Sequence, residues 1–141
     1  MVLPDVNVLV YAHRQDSDHH ARCLDWLQQT IDGDATYGVS NLVLSGFLRV
    51  VTHPKIFKAP STLADSMAFV EQVRTQPHAV SVEPGERHWS IFQRLCAEAN
   101  VKGNLVPDAY LAALAIENSC DWVTTDRDFS RFKGLRWSSP L

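Results

Sequence analysis

The 141-residue chain lacks most of the features that announce a function at once. Its apolar runs are far too short to cross a bilayer, so no transmembrane helix is expected. No basic region precedes the first apolar residues, and Asp5 interrupts them, a start unlike a secretory signal. Cysteine is sparse. Cys23, Cys96 and Cys120 are odd in number and form no CxxC pair, so they read as buried or idle thiols in a reducing cytoplasm rather than a disulfide framework. No glycine-rich phosphate loop and no Ser-His-Asp or Cys-His arrangement is recognisable. Charge of one sign is missing too: 13 Lys and Arg stand against 16 Asp and Glu, a net −3, so any nucleic-acid contact must come from a local patch. One absence is local, because no acid occurs between Asp34 and Asp65.

What is present describes a folded domain. The composition is 45% hydrophobic and 21% charged, and the length suits a single domain over residues 1–141. "VLPD" (2–5) is a short apolar strand, and "VNVLVYAHR" (6–14) begins a helix. A helical pattern covers 16–31, with Leu24, Leu27 and Ile31 on one face and Ser17 or Asp18 as its cap. "ATYGV" (35–39) reads as a strand, after which Ser40 caps a helix over 41–51. Thr62 and Asp65 sit near capping-box spacing at the start of a helix ending at Arg74. "AVSV" (79–82), a helix from Pro84 to Asn100, a helix from Pro107 to about Asn118, "WVTT" (122–125) and "LRW" (135–137) complete the series. Short buried strands alternating with helices predict an α/β fold with a mainly parallel sheet covered on both faces. Pro4 removes one ladder donor and fits best at a strand end.

Three carboxylates stand where such a fold binds ligands. In open parallel sheets the site lies beyond the carboxyl ends of the strands. Asp5 follows the first strand and Asp126 follows "WVTT". Asp108 opens a helix whose face continues through Leu111, Ala112 and Ala115, small enough to pack closely on the sheet. Each acid also has an ordinary local use: Asp5 as a helix cap, Asp108 against a helix dipole, Asp126 in the turn "TDRD". Together, three carboxylates at one edge repel unless a cation neutralises them. Oxygen ligands suit Mg²⁺, with Mn²⁺ as a substitute.

"PDVNVLVYA", "NLVPDAYLAALA" and "TTDRDF", in this order, closely resemble the motifs of PIN-domain proteins, most strongly the VapC-type ribonuclease toxins of toxin–antitoxin pairs. The resemblance covers essentially the whole chain, including "SGFLRVVTHP" (45–54). It implies a PIN-like α/β/α sandwich, Mg²⁺-dependent endonucleolytic cleavage of cellular RNA of the tRNA or rRNA class, a cognate antitoxin, a homodimer and a cytoplasmic location. Carried over by residue, Asp5, Asp108 and Asp126 match the catalytic, metal-binding acids, and Asn7 and Asp128 match supporting polar positions. The family usually places a glutamate near Ser45 or Gly46, and here "LVLSGFLR" has none. The expectation is that three acids suffice, with Asn7, Ser45, Asp128 or water filling the gap.

Other features divide. His19 and His20 are adjacent, face different sides of a helix and read as a solvated helix start rather than a metal pair. Asn7 stands where a phospho-aspartyl site would need a second acid. "RDFSRFKGLR" (127–136) offers Arg127 and Arg131 as RNA contacts beside two phenylalanines that are either core or base-stacking, and Arg49 is a further phosphate contact. The alternative to a ribonuclease is a PIN-like module that binds RNA or protein without cutting.

Overall fold

The computed structural model describes residues 1–141. In chain order the elements are β1 (Val2–Pro4), α1 (Val6–His13), α2 (His20–Asp32), β2 (Tyr37–Val39), α3 (Asn41–Val51), α4 (Leu63–Arg74), β3 (Ala79–Ser81), α5 (His88–Ala99), α6 (Leu105–Glu117), β4 (Asp121–Val123), a 3₁₀ turn (Arg127–Arg131) and β5 (Trp137–Ser138). The strands form one sheet in the order β3-β2-β1-β4-β5, every adjacent pair parallel, with helices flanking it. A single core of 25 buried residues includes Leu3, Tyr37, Phe47 and Trp122.

This order places the topological switch between β1 and β4. From β1 the chain winds out through β2 to β3, then returns to build β4 and β5 on the other side. Val2, Leu3 and Pro4 pair with Asp121, Trp122 and Val123, so the residues that leave these two strands emerge side by side. Crevices at such a point accept ligands because the two connections diverge to opposite faces. Pro4 occupies the last position of β1, and the ladder resumes with the Asp5 N–H donating to the Val123 carbonyl at 2.8 Å.

Local chemistry accounts for the helices that flank the crevice. Ser40 Oγ accepts from the Val43 N–H at 3.4 Å, and α3 buries Val43, Leu44, Phe47 and Val51. Thr62 Oγ1 accepts from the Asp65 N–H at 3.1 Å and starts α4 as the spacing predicts. Ala109, Ala112, Ala113 and Ala115 of α6 are all 0% exposed, so this helix lies close against its neighbours.

Several boundaries differ from expectation. α2 starts at His20, not at Ser17 or Asp18: Ser17 Oγ accepts from the His19 N–H at 3.1 Å in a tight turn outside the helix. His20 Nδ1 lies 2.9 Å from the Tyr11 carbonyl, fastening α2 to α1. α5 starts at His88 rather than Pro84, because the Glu117 carboxylate accepts from the N–H groups of Gly85 (2.7 Å) and Arg87 (2.9 Å) and holds that segment as a loop. α6 begins two residues before Pro107, which its first turn tolerates since those N–H groups have no helical partner. β4 ends at Val123, and β5 is Trp137–Ser138 rather than 135–137.

Gly38 is the tightest point of the sheet. A Cβ there would stand 2.8 Å from Val82 Cγ2 and 3.2 Å from Leu3 Cδ1. Gly38→Ala should therefore destabilise the protein by about 1–3 kcal/mol, the usual cost of overpacking, as measured by urea unfolding.

Candidate active site

Asp5 is only 5% exposed although it is a carboxylate. Its position follows from the end of β1: the chain turns directly into α1, and Asp5 Oδ1 accepts from the Val6 N–H at 2.7 Å as the helix cap. Oδ2 accepts from the Thr124 hydroxyl at 2.7 Å and from Asn7 Nδ2 at 3.1 Å. Thr124, fully buried, is the hub of this corner. Its hydroxyl donates to Asp5 and accepts from Asn7 Nδ2 at 3.2 Å and from the Asp126 N–H at 3.0 Å, which uses its one proton and both lone pairs. Asn7 Oδ1 in turn accepts from the Thr125 N–H at 3.1 Å. One hydroxyl and one amide thus lock the exits of β1 and β4 together.

Asp126 follows from that lock. Its own carboxylate accepts from the Asp128 N–H at 2.9 Å and starts the 3₁₀ turn. Asp108, in the fourth position of α6, reaches the cleft from a third, distant segment. All three acids line one cleft of about 480 Å³, together with Val6, Asn7, Val10, Tyr11, Gly46 and Arg49 among others. The local and convergent readings of Asp5 and Asp126 are therefore both true: each residue caps a helix or turn and lines the cleft.

Charge is costly here. Burial, with the negative charges of Asp108 and Asp126 adding, pushes the Asp5 carboxyl up to about 6, while the hydrogen bonds from Thr124 and Val6 pull it back. Burial also pushes Asp108 up to about 6, reinforced by Asp126 and Asp128 and opposed by Arg131. No three carboxylate, histidine or cysteine side chains form a ready-made cage for an ion. The donors still suit a hard cation, because the cleft offers carboxylate oxygens and no histidine or cysteine. Mg²⁺ commonly keeps several waters and takes one or two carboxylates, so a closed cage is not required.

The other candidate residues separate cleanly. Asn7 lines the cleft and braces Asp5. Ser45 is exposed on α3 and does not line it; its neighbour Gly46 does, with Arg49 one turn further on. Asp128 is exposed outside the cleft and acts on it through charge. Arg131 bonds back to the Asp128 carbonyl at 2.9 Å, and Arg127 is exposed away from the cleft lining. Phe129 and Phe132 are core, 1% and 3% exposed, and Phe129 packs on Trp122 with ring centroids 5.4 Å apart. Sequence reasoning missed Thr124. The signal available was a threonine two residues before Asp126, a spacing at which a hydroxyl accepts the later N–H.

This crevice, at the switch point of a parallel sheet and lined by acids from three distant segments, defines a class. The PIN domain model matches residues 2–135, and the chain belongs to the PIN-domain family, among its VapC ribonucleases. Ribonuclease VapC25 of Mycobacterium tuberculosis is 45% identical over 140 residues, covering 99% of each chain. Ribonuclease VapC43 of the same species is 43% identical over 141 residues, covering 100% of this chain and 96% of the relative. Among solved structures, VapBC2 from Rickettsia felis, bound to a DNA fragment from its promoter, superposes with a TM-score of 0.69 at 19% identity, covering 99% of this chain and 98% of that one. That likeness is one of fold. No helix is long and apolar enough to cross a membrane.

Two outcomes follow from the buried acid. Thr124→Val removes the hub without changing its shape, leaves Asp5 Oδ2 with Asn7 Nδ2 as its one remaining donor and should cost about 1–3 kcal/mol in urea unfolding. It should also raise the Asp5 pKa further, because the Thr124 bond is what lowers it. In the unfolded chain Asp5 titrates near 3.8 and in the fold near 6, so between these values the folded state binds the extra proton. Stability should then fall as pH rises through that window and stay low above it, by on the order of 2–3 kcal/mol for Asp5. Unfolding free energies across pH 4–7 in EDTA should show this slope in the wild type and a shallower one in Asp5→Asn; equal slopes would remove Asp5 as its source.

Proposed function

We propose that this protein is an endoribonuclease toxin of the VapC type, cutting cellular RNA of the tRNA or rRNA class with Mg²⁺ at the cleft lined by Asp5, Asp108 and Asp126, and restrained by a cognate antitoxin. The observation that carries this reading is the convergence of those three acids in one cleft. Relatives named ribonucleases at 43–45% identity across the whole chain support it. Asp5 Oδ1 accepts from the Val6 N–H alone and keeps a lone pair for a cation, whereas Oδ2 already accepts from Thr124 and Asn7. Asp108, whose carboxyl is raised by burial and by Asp126 and Asp128 in the metal-free protein, is the candidate to accept a proton from an attacking water. Arg49 lines the same cleft and would offset the charge of an incoming phosphodiester. When bound, Mg²⁺ supplies Lewis-acid polarisation and acidifies a water. The antitoxin is expected to block the same edge, a basic side chain taking the place of the cation among the acids.

A second reading, an RNA- or protein-binding module that does not cut, is favoured by one observation. Gly46, the α3 residue facing the acids, contributes no carboxylate.

Asp5→Asn and Asp126→Asn should reduce Mg²⁺-dependent RNA cleavage to background while the fold persists by circular dichroism. Wild type that cuts no RNA with Mg²⁺ or Mn²⁺ would leave the binding module as the better account. Restoring a glutamate discriminates positions. Gly46→Glu should increase the metal-induced rise in melting temperature, whereas Ser45→Glu, on an exposed face, should not. A Cβ at Gly46 would meet Val6 Cγ2 at 3.0 Å, so pairing Gly46→Glu with Val6→Ala should recover stability that the single change loses.

A further inference from the structure

The acids line part of the cleft, and another part of its wall differs in kind. It is made by Val50 and Arg49 of α3 and by Ile56 and Phe57 of the strap that joins α3 to α4. Ile56 is 50% exposed, an unusual position for a large apolar side chain next to buried carboxylates. Lys55 and Lys58 bracket the pair, both exposed, and neither they nor Arg49 are engaged in an ion pair. This wall belongs to the acid-free stretch between Asp34 and Asp65.

The strap is fastened rather than loose. Arg14, at the end of α1, sits 4.1 Å above the Phe57 ring. Its guanidinium donates to the Ala59 carbonyl at 2.8 Å and to Ser61 Oγ at 3.2 Å, and Asp16 pins it with contacts of 2.9 and 2.6 Å. His13 Nε2 lies 3.0 Å from Ser61 Oγ, and the Ser61 N–H donates to the Val51 carbonyl at 2.8 Å. Two side chains at the end of α1 therefore hold the strap, with Phe57 half-buried against the core and Ile56 exposed beside it, both lining the cleft. An aromatic anchored on the core with an edge on the cleft, next to an exposed aliphatic side chain, suits a stacking platform.

We infer that this strap is a nucleotide platform: Phe57 and Ile56 receive one unpaired base beside the bond to be cut, and Arg49, Lys55 and Lys58 hold the flanking phosphates. The polyanion complements the three uncommitted cations, and an aromatic wall can reach a base face only where the base has left its stack. The inference rests on the ribonuclease reading for its ligand and adds to it a requirement for single-stranded substrate.

The test uses short labelled RNAs that contain the wild type's own mapped cleavage site, as a single strand, as a duplex, and with an abasic nucleotide on either side of the cut. Binding is read by fluorescence anisotropy in EDTA and cleavage with Mg²⁺. Phe57→Ala should weaken single-strand binding about tenfold, as loss of one stacked base does, while Phe57→Tyr stays close to wild type. One of the abasic RNAs should weaken wild type by the same factor and Phe57→Ala no further. Lys58→Ala should lower the dependence of log affinity on log salt by roughly 0.7. Equal binding of duplex and single strand, or equal abasic penalties in wild type and Phe57→Ala, would overturn the platform. So would a Phe57→Ala protein that keeps its RNA affinity and loses its hold on the antitoxin, which would make the strap a protein surface. Should no cleavage site be found, randomised single-stranded and duplex RNAs serve for binding. Discrimination between those without cutting keeps the platform and sinks the ribonuclease; cutting that is indifferent to Phe57 does the reverse.

Discussion

A carboxylate buried at the end of the central strand sets the terms for the rest of the molecule. Asp5 is almost wholly removed from water, and its carboxyl is raised to about 6 even with three hydrogen bonds to it. At neutral pH its ionised form is a standing cost. Thr124 and Asn7 reduce that cost, and in doing so they fix where Asp126 leaves β4. The bonds that make burial of one acid tolerable thus aim another. Losing one bond of this set leaves a buried charge with fewer donors and loosens the others, which is why the corner is expected to behave as a unit.

The sheet order and the alanine face of α6 complete the arrangement from a distance. The parallel pairing of β1 with β4 brings Asp5 and Thr124 together across 119 positions of sequence. Four alanines with no exposed surface let α6 approach closely, and Asp108 is carried on the first turns of that helix. A larger residue at any of them has no free space to enter, so α6, and Asp108 with it, would have to shift. Packing here is a positional device as much as a source of stability.

What could be read in the sequence depended on the range of the interaction that decides each feature. The Ser40 and Thr62 caps are set by a hydroxyl and an N–H three residues away, and both form as the spacing predicts. The start of α5 is set by Glu117, about thirty residues downstream, so Pro84 misled. Asp5, Asp108 and Asp126 announced themselves because acids are rare in apolar segments, and the structure brings them to one cleft. Ser45 and Gly46 could not be told apart on periodicity, since adjacent helical positions differ by only 100° and the facing element decides. Thr124 was invisible because its importance lies in partners from both strand ends. Phe129 and Phe132, open to either reading in sequence, are core, although Phe129 also closes one part of the cleft; Phe57, which lines it too, comes from a segment that shows no periodicity.

The net charge of −3 averages over segments of unlike charge. Three acids line the cleft, and Arg49 lines another part of its wall, within a segment that also carries Lys55 and Lys58 and no acid. A polyanion approaching such a cleft is attracted by one wall and repelled by the other, so it can settle only with its backbone toward the basic side unless a cation covers the acids. On the proposed reading the same asymmetry gives one geometry two states: with a metal on it the acidic wall would accept a phosphodiester, and with a basic side chain on it would exclude one. Control of the cleft would then need no movement of the fold, only a change in which cation the three carboxylates hold.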